Sequence, residues 1–413
     1  MTTTIEHRPI QTLEEFYHLM NQTALVRRKA AQDALAGREP AESDIASLRN
    51  ALESLKQIPN TDSEKPFERL LRMDDDNAVT VDLDYEITEL ARDVMFLELG
   101  ETALKLVIED QTPGLLSQAD QLAQRLTKAL GAATLRCFIT DRDGTVNNYC
   151  GRYRSSVQAV YNAVFLTRFA RSRATWPIVV TSGPLSGPGL LDVSVVPPKT
   201  YVMAASKGRE YMDLADAYGS FPTSEDQNRV LQNLHSDLGS LLERPENRKF
   251  GLIGSGLQVK FGQLTVARQD ISGSVPEAES LAFLRTVTAL VERHDPDGHA
   301  LRIEDTGLDI EIILTIGSGE ERKDFDKGDG VLFLDQALGL NLDKGPHLVC
   351  GDTFSDLPML RATLERCPDT HAVFVTRKQE LHKAVLELCP KASLVAEPDI
   401  LVLALHALSK VSQ

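Results

Sequence analysis

The sequence predicts an α/β protein: a doubly wound parallel sheet that carries an inserted α+β cap and follows an α-helical N-terminal region. Three observations point there. Short apolar runs alternate with helical spacing beyond Thr134, as strands of a parallel sheet joined by crossover helices do. A long stretch between two such series reads as helices beside adjacent antiparallel strands. The residues before Thr134 keep a helical period throughout.

From about Gln11 to Lys128, apolar residues recur at helical spacing in LEEFYHLMNQTALVRRKAAQDALAG, IASLRNALESLKQI, ITELARDVMFLELGETALKLVIED and LLSQADQLAQRLTKAL. Gly37, Pro40, Pro59 and Pro113 mark the breaks. Residues 1–130 are therefore expected to form an independent α-helical domain that can be removed without loss of the chemistry and whose amphipathic helices suit a homo-oligomer contact. The triple acid Asp74 to Asp76 reads as a solvated linker.

Residues 131–206 and 325–413 are expected to build the sheet domain. Its first half runs TLRCFIT, a helix over SSVQAVYNAVFLTRFARSR, then WPIVVTS. Its second half runs through a helix GDGVLFLDQALG, the run HLVCGD, a helix SDLPMLRATLERC, the run AVFVT and two further helices. Residues 207–324 are expected to be the insertion, with KFGLIGSGLQVKFGQLTVARQD, a helix PEAESLAFLRTVTALVERHD, and the pair RIEDTG and LDIEIILTI.

Charge narrows the function. Among 413 residues, 44 Lys and Arg face 60 Asp and Glu, a net charge of -16 that repels nucleic-acid backbones. A small anionic substrate is compatible with that balance if a few cations converge in one cleft. Five cysteines without a C-x-x-C pair read as reduced thiols, and nine dispersed histidines without H-E-x-x-H suggest no zinc site. No run of about 18 apolar residues suggests a membrane span, and the first residues lack a basic start followed by an apolar stretch, so a cytoplasmic location is expected.

Three polar clusters each follow a strand-like run: Asp141 to Thr145 (D-R-D-G-T), Thr181 to Gly183 (T-S-G) and Gly351 to Asp356 (G-D-T-F-S-D). The carboxyl ends of strands in a parallel α/β sheet share one crevice, so clusters distant in sequence meet there. A fourth cluster, Asp326 to Gly328, opens a helix whose N-terminus favours an anion. Two carboxylates at i and i+2, a hydroxyl, a lysine and a further acidic pair are what phosphoryl transfer through a carboxylate nucleophile requires. Asp141 would attack phosphorus, and Asp143 would protonate the leaving oxygen and later deprotonate water. Clustered carboxylates facing a phosphate call for a hard divalent cation, Mg²⁺, and Lys327 would neutralise the remainder. Taken singly, Asp-Gly is an ordinary turn, Ser182 an ordinary loop residue, Asp356 a helix N-cap, and Lys260 and Glu311 solvent-face residues of strands.

In order, D-x-D-G-T, a strand-terminal serine, a lysine and G-D-x-x-x-D resemble the haloacid dehalogenase superfamily of phosphatases, over roughly residues 134–413. The resemblance implies Asp141 as nucleophile, Asp143 as acid and base, Ser182 as a donor to the phosphoryl group with Thr181 beside it, and Lys327 as the positioning cation. It implies Mg²⁺ held among Asp141, Asp143, Asp352 and Asp356. The place and size of the insertion resemble the large cap of the sugar-phosphate branch, which includes trehalose-phosphate, sucrose-phosphate and mannosylglycerate-type phosphatases. Lys260, Glu311 and Asp326-Lys327-Gly328 match the order of the trehalose type's sugar-binding lysine, glutamate and catalytic lysine. Gln258 stands where that type has an acid, Ala267-Arg268-Gln269 near its His-Tyr-Arg stretch, and Pro184 in place of an arginine; G-D-T-F-S-D is nearer the sucrose and mannosylglycerate pattern. The implied activity is hydrolysis of a sugar phosphate, trehalose 6-phosphate foremost, through an aspartyl-phosphate. A phosphosugar mutase would use the same aspartates, whereas a non-catalytic sensor would have no need of Asp141.

Overall fold

The computed structural model describes residues 4–61, 64–73, 77–316 and 323–410, so the expected linker at Asp74 to Asp76 lies outside the described residues. The chain opens with α1 (Leu13–Leu35) and α2 (Glu42–Lys56). Thr12 starts α1 through a reciprocal cap: its hydroxyl accepts from Glu15 N–H (3.1 Å) while the Glu15 carboxylate accepts from Thr12 N–H (3.0 Å). A hairpin of β1 (Glu68–Arg72) and β2 (Ala78–Asp82) follows, then α3 (Asp84–Gln111) and α4 (Leu115–Leu130). The hairpin departs from the helical expectation. In Glu68–Arg72 and Ala78–Asp82 burial alternates residue by residue, putting Leu71, Val79 and Val81 inside, and that period of two belongs to a strand.

The sheet domain contains β3 (Leu135–Thr140), α5 (Val160–Arg173), β4 (Ala174–Val180), the one-turn α6 (Leu190–Val193) and β5 (Val202–Ala205). Two short strands, β6 (Glu210–Met212) and β7 (Tyr218–Ser220), come next. The insertion then supplies α7 (Glu225–Leu242), β8 (Leu257–Lys260), β9 (Gln263–Ala267), α8 (Glu277–His294), β10 (Leu301–Asp305), β11 (Asp309–Ile316) and β12 (Lys323–Asp324). The chain returns with α9 (Lys327–Leu338), β13 (His347–Gly351), α10 (Leu357–Arg366), β14 (Thr370–Val375), α11 (Gln379–Leu388), β15 (Ser393–Val395) and α12 (Pro398–Lys410).

The main sheet has the order β15-β14-β13-β3-β4-β5-β6-β7, parallel from β15 to β5 and antiparallel beyond. From β3 the sheet grows toward β4 and β5 on one side and toward β13 on the other, so the topological switch point falls between β3 and β13. Central strands are apolar on both sides because helices cover both faces. Cys137 and Ile139 pack with Val331, Leu334, Met359 and Leu381 of α9 to α11. Phe138 between them faces α5 and α12.

Residues 210–220, assigned by sequence to the insertion, extend the main sheet as β6 and β7. Three-residue strands are too short to announce a period of two. The inserted unit therefore begins near α7, with an antiparallel sheet β10-β11-β9-β8 and β12 on β11. Leu234 and Leu238 of α7 and Phe283 and Val287 of α8 are buried in its core with Leu264, Ile310 and Ile312. Arg209 ties the main sheet to this unit by donating to Gly262 O (2.8 Å) and Leu314 O (2.7 Å).

The N-terminal helices are not a detached layer. α1 and α3 pack on α5, and α4 on α12, so one hydrophobic core runs across residue 130. Charged groups cross the same boundary: Arg27 pairs with Asp93 inside the helices (2.5 Å) and donates to Val157 O (2.9 Å), and Arg92 pairs with Asp399 (2.9 Å). The expected separability thus meets an interface built like a domain interior. The buried sides of these helices are spent on the same chain rather than offered to a second copy. Among the described residues no helix is long and apolar enough to cross a membrane, and all five cysteines are free and buried.

Candidate active site

β3 ends at Thr140 and delivers Asp141 to the switch point, where its N–H donates to Cys350 O of β13 (3.0 Å). The chain then turns sharply, Arg142 O accepting from the N–H groups of Thr145, Val146 and Asn147. Gly144 makes the turn with a φ of +85°, which only glycine adopts without strain. A Cβ there would also stand 2.2 Å from Asp352 Oδ2, so the absent side chain keeps the carboxylate at the end of β13 accessible. Thr181 and Ser182 follow β4, with Thr181 Oγ1 accepting from Gly183 N–H (3.2 Å).

Lys327 is placed by the start of α9, where Asp326 accepts from Asp329 N–H (2.9 Å) and Asp329 accepts from Asp326 N–H (3.1 Å). From that first turn its Nζ donates to Asp141 Oδ1 (2.5 Å) and Asp356 Oδ1 (2.6 Å). The other oxygen of Asp356 accepts from the N–H groups of Asp352 and Thr353 (2.9 Å each) and from Thr353 Oγ1 (3.0 Å). Burial opposes the ionisation of Asp356, but Lys327 and these donors outweigh it and hold its pKa below the usual range. Burial likewise opposes the Lys327 ammonium, and Asp141 and Asp356 raise its pKa above that of an ordinary lysine. Asp141 is pushed up to about 6 by burial, with Lys327 as the main counterweight.

One oxygen from each of Asp141, Asp352 and Asp356 lies within 4.8 Å of the others. Asp352 is pushed up to about 9, by burial first and then by Asp141 and Asp356, which is the signature of like charges crowded together. Its Oδ1 accepts from Thr145 Oγ1 (3.0 Å). An all-carboxylate donor set suits a hard divalent cation of the Mg²⁺ kind. Asp143, assigned by sequence to the same metal set, is not in this group. Its Oδ1 is taken by Arg142 Nη1 (2.5 Å) and Ser156 Oγ (2.7 Å), with Asn147 Nδ2 at 3.4 Å.

Asp141, Asp143, Thr181, Ser182 and Lys327 line one cleft of about 250 Å³ together with Lys260 and Glu311 of the inserted sheet. β8 and β11 flank β9, with Gln258 and Glu311 both registered on Thr265, so alternate residues of both strands present one polar face. Burial lowers the pKa of Lys260, partly offset by Glu311 and Asp309. Arg268 is tied to Asp305 (2.7 Å) and Ser280 (2.7 Å) and does not line the cleft. Gln258, Ser255 and Asp309 do line it.

The sequence reading missed one wall. Tyr149, Cys150, Gly151, Arg152, Tyr153 and Ser156, from the loop between β3 and α5, face the same cleft. Nothing in their spacing repeats or alternates; the available signal was only that D-R-D-G-T is followed by many residues before the next helix. Tyr153 also backs Gly183, where any Cβ would stand 2.5 Å from the ring.

With Asp141 and Asp352 on neighbouring strands either side of a switch point, and an inserted sheet closing over both, the architecture is that of the haloacid dehalogenase superfamily with a large α/β cap. Family models place it more narrowly. One described as trehalose-6-phosphate phosphatase, C-terminal, matches residues 138–401, and one described as the trehalose-6-phosphate phosphatase N-terminal helical bundle domain matches residues 12–111. The chain belongs to the trehalose-6-phosphate phosphatase family. It is 34% identical over 399 residues to an alpha,alpha-trehalose-phosphate synthase [UDP-forming] 2 of Aphelenchoides avenae, covering 94% of this chain and 30% of that protein. The chain thus spans about a third of the length of the synthases it matches. It is 28% identical over 430 residues to a trehalose-phosphatase of Brugia malayi, covering 96% of this chain and 86% of that protein. Among solved structures, Aspergillus fumigatus trehalose-6-phosphate phosphatase aligns over 70% of this chain and 97% of its own, with 16% identity and a TM-score of 0.41.

Proposed function

We propose that this chain is a Mg²⁺-dependent phosphomonoesterase that hydrolyses trehalose 6-phosphate through a phosphoaspartate on Asp141. The observation that carries the reading is the two-sided cleft. Its floor holds Asp141, with Lys327 donating to it, and Lys260 and Glu311 of the inserted sheet line the same cleft as its roof. A phosphate alone would use the floor; a polar roof is what a polyhydroxylated leaving group requires.

Asp141 and Asp352 are the residues that would hold the metal, since both oxygens of Asp356 are already engaged by Lys327, Asp352 and Thr353. A bound Mg²⁺ supplies charge neutralisation between the carboxylates and the phosphate dianion. In the first step an oxygen of Asp141 bonds to phosphorus and the bond from phosphorus to the sugar oxygen breaks, the electron pair leaving with that oxygen. Asp143 delivers a proton to it, releasing the free sugar. In the second step Asp143 takes a proton from water, the water oxygen bonds to phosphorus, and the Asp141–phosphorus linkage breaks to give inorganic phosphate. Lys327 donates to Asp141 Oδ1, which would also be the oxygen shared with the metal, and Oδ2, approached by Thr145 Oγ1 at 3.4 Å, would be the one that attacks. Thr181 and Ser182, at the end of β4, lie where hydroxyl donors reach a phosphoryl group in the cleft.

The test is phosphate release by the purified chain from a panel of sugar phosphates, with Mg²⁺ and with a chelator. Trehalose 6-phosphate should be turned over at least about ten-fold faster than sucrose 6-phosphate or glucose 6-phosphate, and only with metal. Equal turnover of all three would remove the substrate assignment. Full activity in excess chelator would remove the metal.

A further inference from the structure

We infer that the N-terminal helices belong to the catalytic apparatus: Tyr85 of α3, acting through Asn147, holds the Asp143 carboxyl in its working position. The inference rests on the reading of Asp143 as the proton donor.

Asp143 has no rigid support of its own. It follows β3 by three residues and lies in a turn separated from α5, which begins at Val160, by a segment whose regular structure is one 3-10 turn at Tyr153–Ser155. Its carboxylate is held by Ser156 and Asn147, both from this irregular segment, and by Arg142, which itself donates to Ser156 Oγ (3.1 Å). Asn147 Nδ2 also lies 3.3 Å from Ser156 Oγ, so these groups form a closed set around one carboxylate oxygen. An amide positions a carboxylate only if its own orientation is set. Here Asn148 O accepts from the amide nitrogen (3.0 Å), and the amide oxygen faces the Tyr85 hydroxyl, 3.1 Å from Asn147 Oδ1 and 2.9 Å from Val157 O, its single proton shared between two acceptors. A second N-terminal side chain, Arg27 of α1, donates to the same Val157 carbonyl (2.9 Å).

The rest of the segment is gripped in the same way. Glu86, next to Tyr85, pairs with Arg152 through both oxygens (3.0 and 3.1 Å), and Arg152 also donates to Asp82 O at the end of β2. Asn148 donates to Glu89 (3.0 Å). Glu86, Glu89 and Arg152 are buried, and Arg152 itself lines the cleft with Tyr149 and Tyr153. Polar contacts from the N-terminal helices also reach Ser194 O through Arg28 and Asp399 through Arg92, but those of Tyr85, Glu86 and Glu89 fall on the one segment whose side chains fix the acid, which is the geometry of a positioning role.

The experiment compares single-turnover release of two leaving groups by the full-length chain with Mg²⁺, because Asp143 serves the second step for either substrate and only the first step reports its proton donation. Trehalose 6-phosphate needs a proton on its leaving oxygen, whereas 4-nitrophenyl phosphate does not. Asp143→Asn is measured first: if it lowers both rates alike, the acid reading fails and Tyr85 has nothing to position. If Asp143→Asn selects against the sugar phosphate, Tyr85→Phe is expected to lower the single-turnover rate of sugar release from trehalose 6-phosphate about ten-fold, with its half-saturating concentration and the single-turnover aryl rate within about two-fold. Asn147→Ala should produce the same selective loss, and the double variant should be no worse than Asn147→Ala alone. Equal losses on both substrates for Tyr85→Phe, or a double variant whose loss is the product of the two, would overturn the relay. Should Tyr85→Phe fail to fold, Asn147→Ala decides alone: an unchanged ratio of the two rates overturns the inference.

Discussion

Asp356 accepts the backbone N–H of Asp352 at 2.9 Å, so of two aspartates that look equivalent in G-D-T-F-S-D one holds the other in place. Asp352 keeps an oxygen within 4.8 Å of one on Asp141, while Asp356 spends both of its own on Lys327 and the backbone. Their substitutions should therefore differ. Asp352→Asn should raise the Mg²⁺ concentration for half-maximal activity at least about ten-fold while activity returns at high metal. Asp356→Asn should lower activity in a way that added metal does not restore, because Lys327 loses its anchor. A Mg²⁺ titration of both variants checks this, and identical titrations would contradict the division of roles.

Asp141→Asn should abolish turnover, by more than about 10³-fold on either substrate type, since an amide is a poor nucleophile and a poor metal ligand. The fold should persist, because the substitution is isosteric and Lys327 retains Asp356. Phosphate release and circular dichroism on one preparation test both halves; a few per cent of residual activity would displace Asp141 as nucleophile.

Lys260→Ala and Glu311→Ala should lower kcat/KM for trehalose 6-phosphate about 10²-fold and leave 4-nitrophenyl phosphate within about three-fold. The reason is position: both belong to the roof of the cleft, away from the phosphoryl floor. Parallel losses on the two substrates would make these residues structural.

A fragment beginning at residue 131 should fail to fold. It would leave Asp399 without Arg92 and Arg152 without Glu86. It would also expose the apolar sides of α5 and α12 now covered by α1, α3 and α4. Expression of the fragment beside the full chain, followed by thermal unfolding, is the measurement. A monomer with a cooperative transition would show that the interface is dispensable.

Stability should fall on mild acidification through His406. Burial, with the charges of Lys410 and Arg168, holds its imidazole below the ordinary pKa of about 6.5 despite Glu101 at 3.0 Å. As pH drops below that value the unfolded chain takes up a proton that the folded chain refuses, so the unfolded state gains and the folded state loses ground. The contribution is complete above about pH 6.5 and shrinks toward the lower folded pKa. Tm measured at pH 7.5 and 5.5 should decrease, and the decrease should be smaller in His406→Gln. An equal slope in the variant would assign the pH dependence elsewhere.

The sequence by itself determined the strands that end in polar clusters, the helices between them and the place of the insertion. Each of these is written in local spacing: a period of two or an unbroken apolar run for strands, a period near 3.6 for helices, and a turn where Asp141, Thr181 and Asp352 emerge. Because parallel strand ends share one edge, the spacing alone brings Asp141, Ser182, Lys327 and Asp352 together. Tertiary structure alone decided which oxygen each group offers. Asp143 is held by Ser156 rather than joining the metal carboxylates, and Asp356 is saturated while Asp352 is not. It alone placed residues 210–220 on the main sheet and put Tyr85, 62 residues upstream, against Asn147. The physical reason is that a lone pair or a buried proton is claimed by whichever donor or acceptor folding brings near, and that neighbour is set by the packing of distant segments, which no local period records.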